Sequence, residues 1–241
     1  MRDILFPNSA YTETEFTFDE TSDVEWDRKR NSLYWAGSTT GGYATDDNWQ
    51  FFQRQRCVEL AQNPRKADYY LRVKVGVAKG MVASFDGRLF NVAFTHIFQR
   101  ERKSCRDHNA CFKTKSWANK DETLKLKLAF DVDGNGISGR FYKSFASKPV
   151  MLKQTLLREW YDDCLVSWLH YVPVSQSMEE LPELASYLTL TETGQRITKQ
   201  IALNGREWYS RSFRRADLGL YIYRVLLEMT RVQDPERMPH S

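Results

Sequence analysis

Residues 130–141 read FDVDGNGISGRF, and this stretch does most to predict the fold. It follows LKLKLAF, an alternating run at residues 124–130 that is typical of a strand, and leads into FYKSFASK, which is typical of a helix. A tight glycine turn between a strand and a helix is a common binding site for phosphate or another acidic ligand. The helix N-terminus there presents unpaired N–H groups and a partial positive charge. The turn therefore predicts an anion site within an α/β fold.

The same turn also imitates the calcium-binding loop of an EF-hand. Its positions 1, 3, 5 and 6 are filled by Asp131, Asp133, Asn135 and Gly136. Position 12, where that loop needs a bidentate glutamate, is Tyr142. The preceding residues alternate as in a strand, whereas an EF-hand requires a helix there. A calcium-binding or protein-interaction module is therefore only a lesser alternative, beside a plain solvated turn.

Strand and helix patterns alternate along most of the chain. Strands are predicted at residues 32–38, 69–75, 91–98, 124–133, 149–153 and 167–174, and helices at 49–62, 137–147, 178–190, 191–213 and 216–232. This alternation predicts an α/β fold, a Rossmann-like parallel sheet with helices on both faces. Residues 1–30 are expected to be irregular, residues 31–232 to form the domain, and residues 233–241 to be a polar tail.

Composition bounds the function classes. The chain has 241 residues, 41% of them hydrophobic, and a net charge of +4, which suits a globular protein with a proper core. Its basic residues are dispersed, so an anionic ligand is allowed but no nucleic-acid partner is predicted. No apolar run of about 18 residues is present, so no membrane span is predicted, and the N-terminus lacks the apolar core of a signal peptide.

The four cysteines are Cys57, Cys105, Cys111 and Cys164. The order Cys105, His108, Cys111 is a weak zinc pattern, because no second ligand pair follows. A disulfide between Cys105 and Cys111 in an oxidising lumen and two free thiols are equal alternatives.

A second glycine-rich turn, GSTTGG at residues 37–42, also lies between a predicted strand and a predicted helix. The carboxyl ends of parallel strands share one edge of a sheet, where ligands bind. Gly37, Ser38, Thr39 and Thr40 offer N–H groups and hydroxyls without negative charge, which suits phosphate oxygens. The two turns together therefore favour a ligand site over plain turns.

Charged residues near the turns add to this prediction. Arg54 and Arg56 are two positions apart on one helix, so they do not share a face, and only one is expected to reach a phosphate. Arg140 opposes the dipole in the first turn of its helix, which favours an anionic partner such as a diphosphate, with a surface salt bridge as the alternative. Asp131 and Asp133 have a spacing that can hold a divalent metal on a nucleotide diphosphate, although turn capping is favoured for Asp133.

Four segments, in order, resemble the capsule-associated-protein domain of glycosyltransferase family 90, particularly its fungal branch. They are LYWAGSTTGGYATDDNWQFFQRQR (residues 33–56), FDVDGNGISGRF (130–141), SFASKPVMLKQTLLREWY (144–161) and SWLHYVPV (167–174). The resemblance implies a two-lobed GT-B type fold of which this chain is the C-terminal, donor-binding half. It implies inverting transfer of a glucose- or xylose-type sugar from a UDP-sugar to a hydroxyl of a glycan or glycoprotein. It also implies a location in the Golgi or endoplasmic reticulum lumen, or in the membrane-associated secretory pathway.

The resemblance also assigns site residues. Ser38 matches the serine of a W-x-G-S motif, and Ser138 and Arg140 match a small-Ser-x-Arg-Phe motif; both motifs bind the donor diphosphate in the family. Arg54 or Arg56 matches a further basic residue. Contacts to the donor sugar or nucleotide are expected from Asp131, Gly134, Glu159, Trp160 and His170. No metal ligand is assigned, but Mn²⁺ or Mg²⁺ would be compatible with the D-x-D pair.

Two departures from the family pattern matter. Family members often carry arginine where this chain has Ala36, so one positive charge near the donor is absent. The family's catalytic aspartate lies upstream of the first donor motif, and no segment here corresponds to it. The sequence therefore leaves two alternatives: an active transferase whose base comes from an unrecognised residue or a partner half, and a non-catalytic remnant that binds UDP-sugar.

Overall fold

The structure is a computed structural model that describes residues 4–8, 11, 18–45, 48–62, 70–73, 76–79, 87–98, 111–116, 121–136 and 139–234. Within these residues the strands are β1 Arg30–Ser38, β2 Tyr70–Val73, β3 Gly76–Lys79, β4 Phe90–His96, β5 Leu126–Val132, β6 Val150–Gln154 and β7 Val172–Pro173. The α-helices are α1 Gln53–Gln62, α2 Gly139–Ala146, α3 Leu181–Leu190, α4 Glu192–Ser212 and α5 Arg215–Gln233. Ser138, Cys105 and His108 lie outside the described residues.

The main sheet has the strand order β4-β1-β5-β6-β7, and every neighbouring pair is parallel. The chain passes from β1 outward to β4 and then crosses back to β5 on the other side of β1. The strand connections therefore run in opposite directions on either side of the boundary between β1 and β5. This boundary is the topological switch point of a doubly wound sheet. The predicted parallel α/β sheet is confirmed.

Helices cover both faces of the sheet because strand side chains alternate. Phe130 of β5 packs with residues of α1, α3 and the first half of α4, whereas the adjacent Ala129 packs with α2 and Phe213. All seven residues of β5 are buried. A continuous buried run is what a parallel strand covered on both faces requires. The layers therefore follow from the apolar pattern around residues 124–133.

Two strand predictions need correction. Residues 69–75 do contribute a strand, but β2 pairs antiparallel with β3 in a separate two-stranded sheet. Residues 167–174 are not one strand, because only Val172 and Pro173 pair with β6. Before them the chain makes a tight turn, in which the Trp168 N–H donates to the Tyr171 carbonyl at 2.7 Å. Trp168 has a φ of 63°, which interrupts the extended backbone that the alternating pattern suggests.

The remaining boundaries differ by a few residues. A 3₁₀ turn at Trp49–Phe51 precedes α1, so the regular helix begins at Gln53 rather than at residue 49. Within the described ranges no helix is both long and apolar enough to cross a membrane. Cys57, Cys111 and Cys164 are free thiols, and Cys57 is buried.

Candidate functional site

The two glycine turns meet at the carboxyl edge of the sheet. Ser38 ends β1, Asp133 follows β5, and these two strands are parallel neighbours. The backbone N–H of Gly41 donates to Oδ1 of Asn135 at 2.9 Å, so the turns touch directly. The site predicted from the two turns therefore lies at the topological switch point, where doubly wound sheets bind ligands.

Arg54 lies between the turns, although it belongs to the first turn of α1. Its side chain is only 8% exposed. Its Nε donates to the Asp133 carbonyl at 2.8 Å, and its Nη1 donates to the Ser38 carbonyl at 3.0 Å and to Oγ1 of Thr40 at 2.5 Å. A longer hydrogen bond of 3.4 Å joins Nη2 to the Val132 carbonyl. One side chain thus contacts the ends of both β1 and β5.

Arg140 approaches the end of β1 from the first turn of α2. Its Nη1 donates to the carbonyl of Ala36, and the residue is exposed. A Cβ added at Gly37 would lie 3.0 Å from Nη2 of Arg140, so the arginine crosses the strand where glycine leaves room. Unlike Arg54, Arg140 can therefore reach a ligand from the solvent side.

Arg140 affects the pKa of Arg54. Burial and, to a lesser extent, the nearby Arg140 lower the pKa of Arg54, Asp131 and Asp133 oppose the shift, and the net result is a pKa of about 10. At neutral pH Arg54 is still a cation, since even the lowered pKa lies well above 7. The edge therefore carries two guanidinium groups, which favours an anionic ligand.

The turn hydroxyls have different surroundings. Thr39 is 1% exposed; its Oγ1 donates to the Phe98 carbonyl at 2.9 Å and accepts from the Phe98 N–H at 2.8 Å. Thr39 therefore anchors the turn to the segment after β4. Ser38 and Thr40 are partly exposed, with their hydroxyl oxygens 3.1 Å apart. These two hydroxyls are placed where a ligand could use them.

Asp133 holds the loop that follows β6. Its carboxylate accepts from Oγ1 of Thr155 at 2.5 Å and from the N–H groups of Leu156 and of Leu157, the latter at 3.2 Å. Both carboxylate oxygens thus accept hydrogen bonds from the loop after β6, rather than from the glycine turn that Asp133 was expected to cap. Among the described residues no group of three or more metal-ligating side chains is found. A divalent-metal role for Asp131 and Asp133 on a bound diphosphate stays a prediction.

A cleft of about 300 Å³ opens beside the turns. Its polar floor is formed by Thr40, Arg54 and Asp133, and its rim is apolar, with Phe51 72% exposed. The cleft is lined by Thr40, Gly41, Phe51, Phe52, Gln53, Arg54, Asp133, Gly134, Leu156 and Leu157. Sequence reasoning missed this rim, because apolar residues beside a helix resemble core. The adjacent residues Phe51 and Phe52 could have indicated this rim, because two consecutive side chains rarely both pack into the same core.

Glu159 and Trp160 lie in the loop after β6 but on the α2 face. Oε2 of Glu159 accepts a hydrogen bond from the Tyr11 hydroxyl at 3.0 Å, and burial raises the pKa of Glu159. Trp160 packs edge-on against Phe213, with ring centroids 5.4 Å apart. The contacts of both residues are therefore with the N-terminal segment and the aromatic core. Their roles toward a donor stay predictions.

His170 and Arg56 are not brought to the turns. His170 precedes β7 and, by the register of Val172 with Leu152, lies level with the beginning of β6. Its Nδ1 accepts from the Val166 N–H at 3.0 Å, and burial lowers its pKa. Arg56 donates to the Gln176 carbonyl at 3.3 Å, away from Arg54. The two arginines thus lie on different faces of α1, as their spacing predicts, and a contact of either one with a phosphate stays a prediction.

The doubly wound sheet, with two glycine turns and two arginines at its switch point, defines an α/β domain with a candidate ligand site there. A sequence profile of glycosyl transferase family 90 matches residues 12–238 of this chain. The chain belongs to glycosyl transferase family 90 and is therefore a glycosyltransferase domain.

Comparison with solved structures finds the C-terminal domain of a group 1 family glycosyl transferase from Francisella tularensis. The two share 12% identity with a TM-score of 0.40, over 83% of this chain and 96% of that chain. A search of curated proteins found no match.

Proposed function

We propose that this domain binds a UDP-sugar at the switch point and presents it for inverting transfer to a hydroxyl of a glycan or glycoprotein. The sugar is of the glucose or xylose type, as the family resemblance implies. The observation that carries the proposal is the meeting of two glycine turns and two arginines at the carboxyl ends of β1 and β5. Membership in family 90 supports the transferase chemistry.

In this proposal the diphosphate of the donor lies against the two turns. The exposed Arg140 and the hydroxyls of Ser38 and Thr40 donate to its oxygens. The family resemblance adds Ser138, which lies outside the described residues. The cleft beside the turns holds the nucleoside, because its polar floor and apolar rim suit a ribose and a planar base.

The same contacts would serve the reaction. When the acceptor oxygen attacks the anomeric carbon, the bond to the diphosphate breaks and negative charge develops on the departing UDP. A guanidinium already placed beside that oxygen stabilises the charge. The acceptor proton passes to a carboxylate base, which the resemblance assigns to a second, N-terminal lobe. The domain therefore supplies donor binding and leaving-group stabilisation.

Isothermal titration of the protein with UDP tests the donor site. We expect Arg140→Ala to weaken UDP binding about tenfold or more, since a hydrogen bond to a charged group contributes about 1.5–3 kcal/mol. Uridine, which lacks phosphate, should bind equally to both proteins. Arg211→Ala is the control, because that exposed arginine pairs with Glu207 on α4. Absence of UDP binding, or equal binding by Arg140→Ala, would contradict the proposal.

Transfer assays with UDP-glucose and UDP-xylose then separate the remaining alternatives. Release of UDP that depends on an acceptor supports an active transferase, whereas binding without turnover indicates a donor-binding domain without activity. Titration with calcium completes the comparison. Calcium binding in a protein that does not bind UDP would support the interaction module instead.

A further inference from the structure

We propose that Arg54 is a positioning residue that holds the two glycine turns together, and that position 134 is glycine because the Arg54 guanidinium passes over it. The structural part of this inference stands on the contacts of the ligand-free protein. The consequence for donor binding rests on the proposed function.

The hydrogen bonds of Arg54 show how little of its guanidinium is left for a ligand. A guanidinium has five N–H donors, and here four are directed at oxygens of the protein. A bidentate contact to a diphosphate needs two donors on one side of the fork. Arg54 can offer at most one, from Nη2, so its geometry is that of a residue satisfied by its own protein.

The acceptors of Arg54 come from both turns. The Ser38 carbonyl belongs to the end of β1, and the Val132 and Asp133 carbonyls belong to the end of β5. Three carbonyls in different directions require a planar group with several donors, which lysine does not have. The ring of Trp35, with its centroid 5.6 Å from Cζ of Arg54, adds a cation–π contact. The buried charge is thus stabilised by oxygens of both strands and by an aromatic ring.

Gly134 fits this arrangement for a reason other than backbone freedom. Its φ lies outside the left-handed region, so alanine could adopt its backbone conformation. A Cβ at this position would, however, lie 2.8 Å from Cζ of Arg54 and closer still to Nη2. The nearby Gly41 is different, because its φ of 113° itself favours glycine. The requirement for glycine at position 134 therefore comes from Arg54, which makes the two residues interdependent.

A double-mutant cycle with Gly134→Ala and Arg54→Met tests this interdependence. Hydrogen exchange of the Gly41 amide is measured in the ligand-free protein, together with thermal unfolding. We expect each single substitution to accelerate this exchange about tenfold. Adding Gly134→Ala to Arg54→Met should change it no further, since no guanidinium remains to be displaced. Gly136→Ala is the matched control, because its added Cβ would meet nothing within 4 Å.

Two outcomes would overturn the inference. The first is that the Gly41 amide exchanges as fast in Arg54→Met as in the native protein. The second is that the exchange rate of the double variant rises by the product of the two single effects, which would show that the two residues act independently. Both are read without ligand, so they remain informative if UDP does not bind and the proposed function fails. Where UDP does bind, Arg54→Lys distinguishes positioning from simple charge. We expect Arg54→Lys to lose about as much UDP affinity as Arg54→Met does. If the lysine variant instead bound UDP as tightly as the native protein, the positioning role would be refuted.

Discussion

Glu159 is a carboxylic acid held against aromatic side chains. Burial raises its pKa, and Asp162 and Asp131 raise it further, while the hydrogen bond from Tyr11 and the charge of Lys153 lower it. Burial also raises the pKa of the Tyr11 hydroxyl, which therefore stays a donor to Glu159 at neutral pH. A raised folded pKa means that the folded protein binds a proton more tightly at this carboxyl than the unfolded chain does.

This difference predicts the effect of Glu159→Gln on stability. Between the unfolded pKa, near 4.5, and the raised folded pKa, the free energy of unfolding contributed by Glu159 falls as pH rises. Glutamine removes this penalty and still accepts from Tyr11. We expect the variant to be more stable than the native protein above the folded pKa, with the difference vanishing toward pH 4. Urea unfolding across this pH range measures it, with the exposed Asp163→Asn as control. A native protein that is the more stable one at pH 7 would contradict the prediction.

At the scale of elements, α4 joins the two cores by passing the edge of the sheet. Ile201 and Ala202 pack in the core beneath α1 and α3, whereas Trp208 packs against the core of α2. Between them, a Cβ at Gly205 would lie 2.8 Å from Cε2 of Phe145 and 2.9 Å from the His170 carbonyl. The close approach of α4 to α2 and to the turn before β7 therefore requires a residue without a Cβ at position 205.

Gly205→Ala should destabilise the protein although alanine is the better helix former. The propensity gain of up to about 1 kcal/mol is offset by overpacking, which costs about 1–3 kcal/mol. Gly219→Ala on α5 is the matched comparison, because its Cβ would meet nothing within 4 Å. We expect the free energy of unfolding, measured in urea, to fall for Gly205→Ala and to rise slightly for Gly219→Ala. If both substitutions raised the free energy of unfolding, helix propensity alone would account for the result and the close contact at Gly205 would not matter.

At the scale of the whole molecule, the carboxyl and amino edges of the sheet carry different groups of polar residues. The carboxyl edge carries the candidate site, and the amino edge holds a buried ion pair between Lys29 and Asp23, 2.7 Å apart, with side chains 0% and 2% exposed. Nζ of Lys29 also donates to the Leu124 carbonyl, in the 3₁₀ turn that leads into β5. The ion pair thus joins the N-terminal segment to the beginnings of β1 and β5, far from the glycine turns.

Lys29→Met should therefore reduce stability without changing the site. Removing one partner of a buried pair leaves a buried charge, which costs about 3–5 kcal/mol. We expect the free energy of unfolding to fall by about this amount and the additional change Asp23→Leu to recover much of it. UDP affinity of the folded variant should equal that of the native protein. Loss of UDP affinity at a temperature where the variant is folded would show that the two edges are coupled.

Local pattern was enough to predict the fold class and the meeting of the two glycine turns at one edge of the sheet. The alternating run at residues 124–130 and the glycine turns after two strands have consequences that depend only on side-chain period and turn chemistry. They predicted a parallel sheet with both turns at one edge. The tight turn at Trp168 escaped prediction, because a left-handed residue leaves no mark on an alternating apolar pattern.

The sequence by itself determined that this is an α/β protein with glycine turns at the carboxyl ends of β1 and β5, and the anion site expected there stays a prediction. Only the tertiary structure decided what each polar residue does there: Arg54 holds the turns, Asp133 holds the loop after β6, and Arg140 stays accessible. The physical reason is distance along the chain. Arg54 and Asp133 are separated by 79 positions, and whether a guanidinium meets a ligand or a carbonyl depends on strand register and loop path rather than on local sequence.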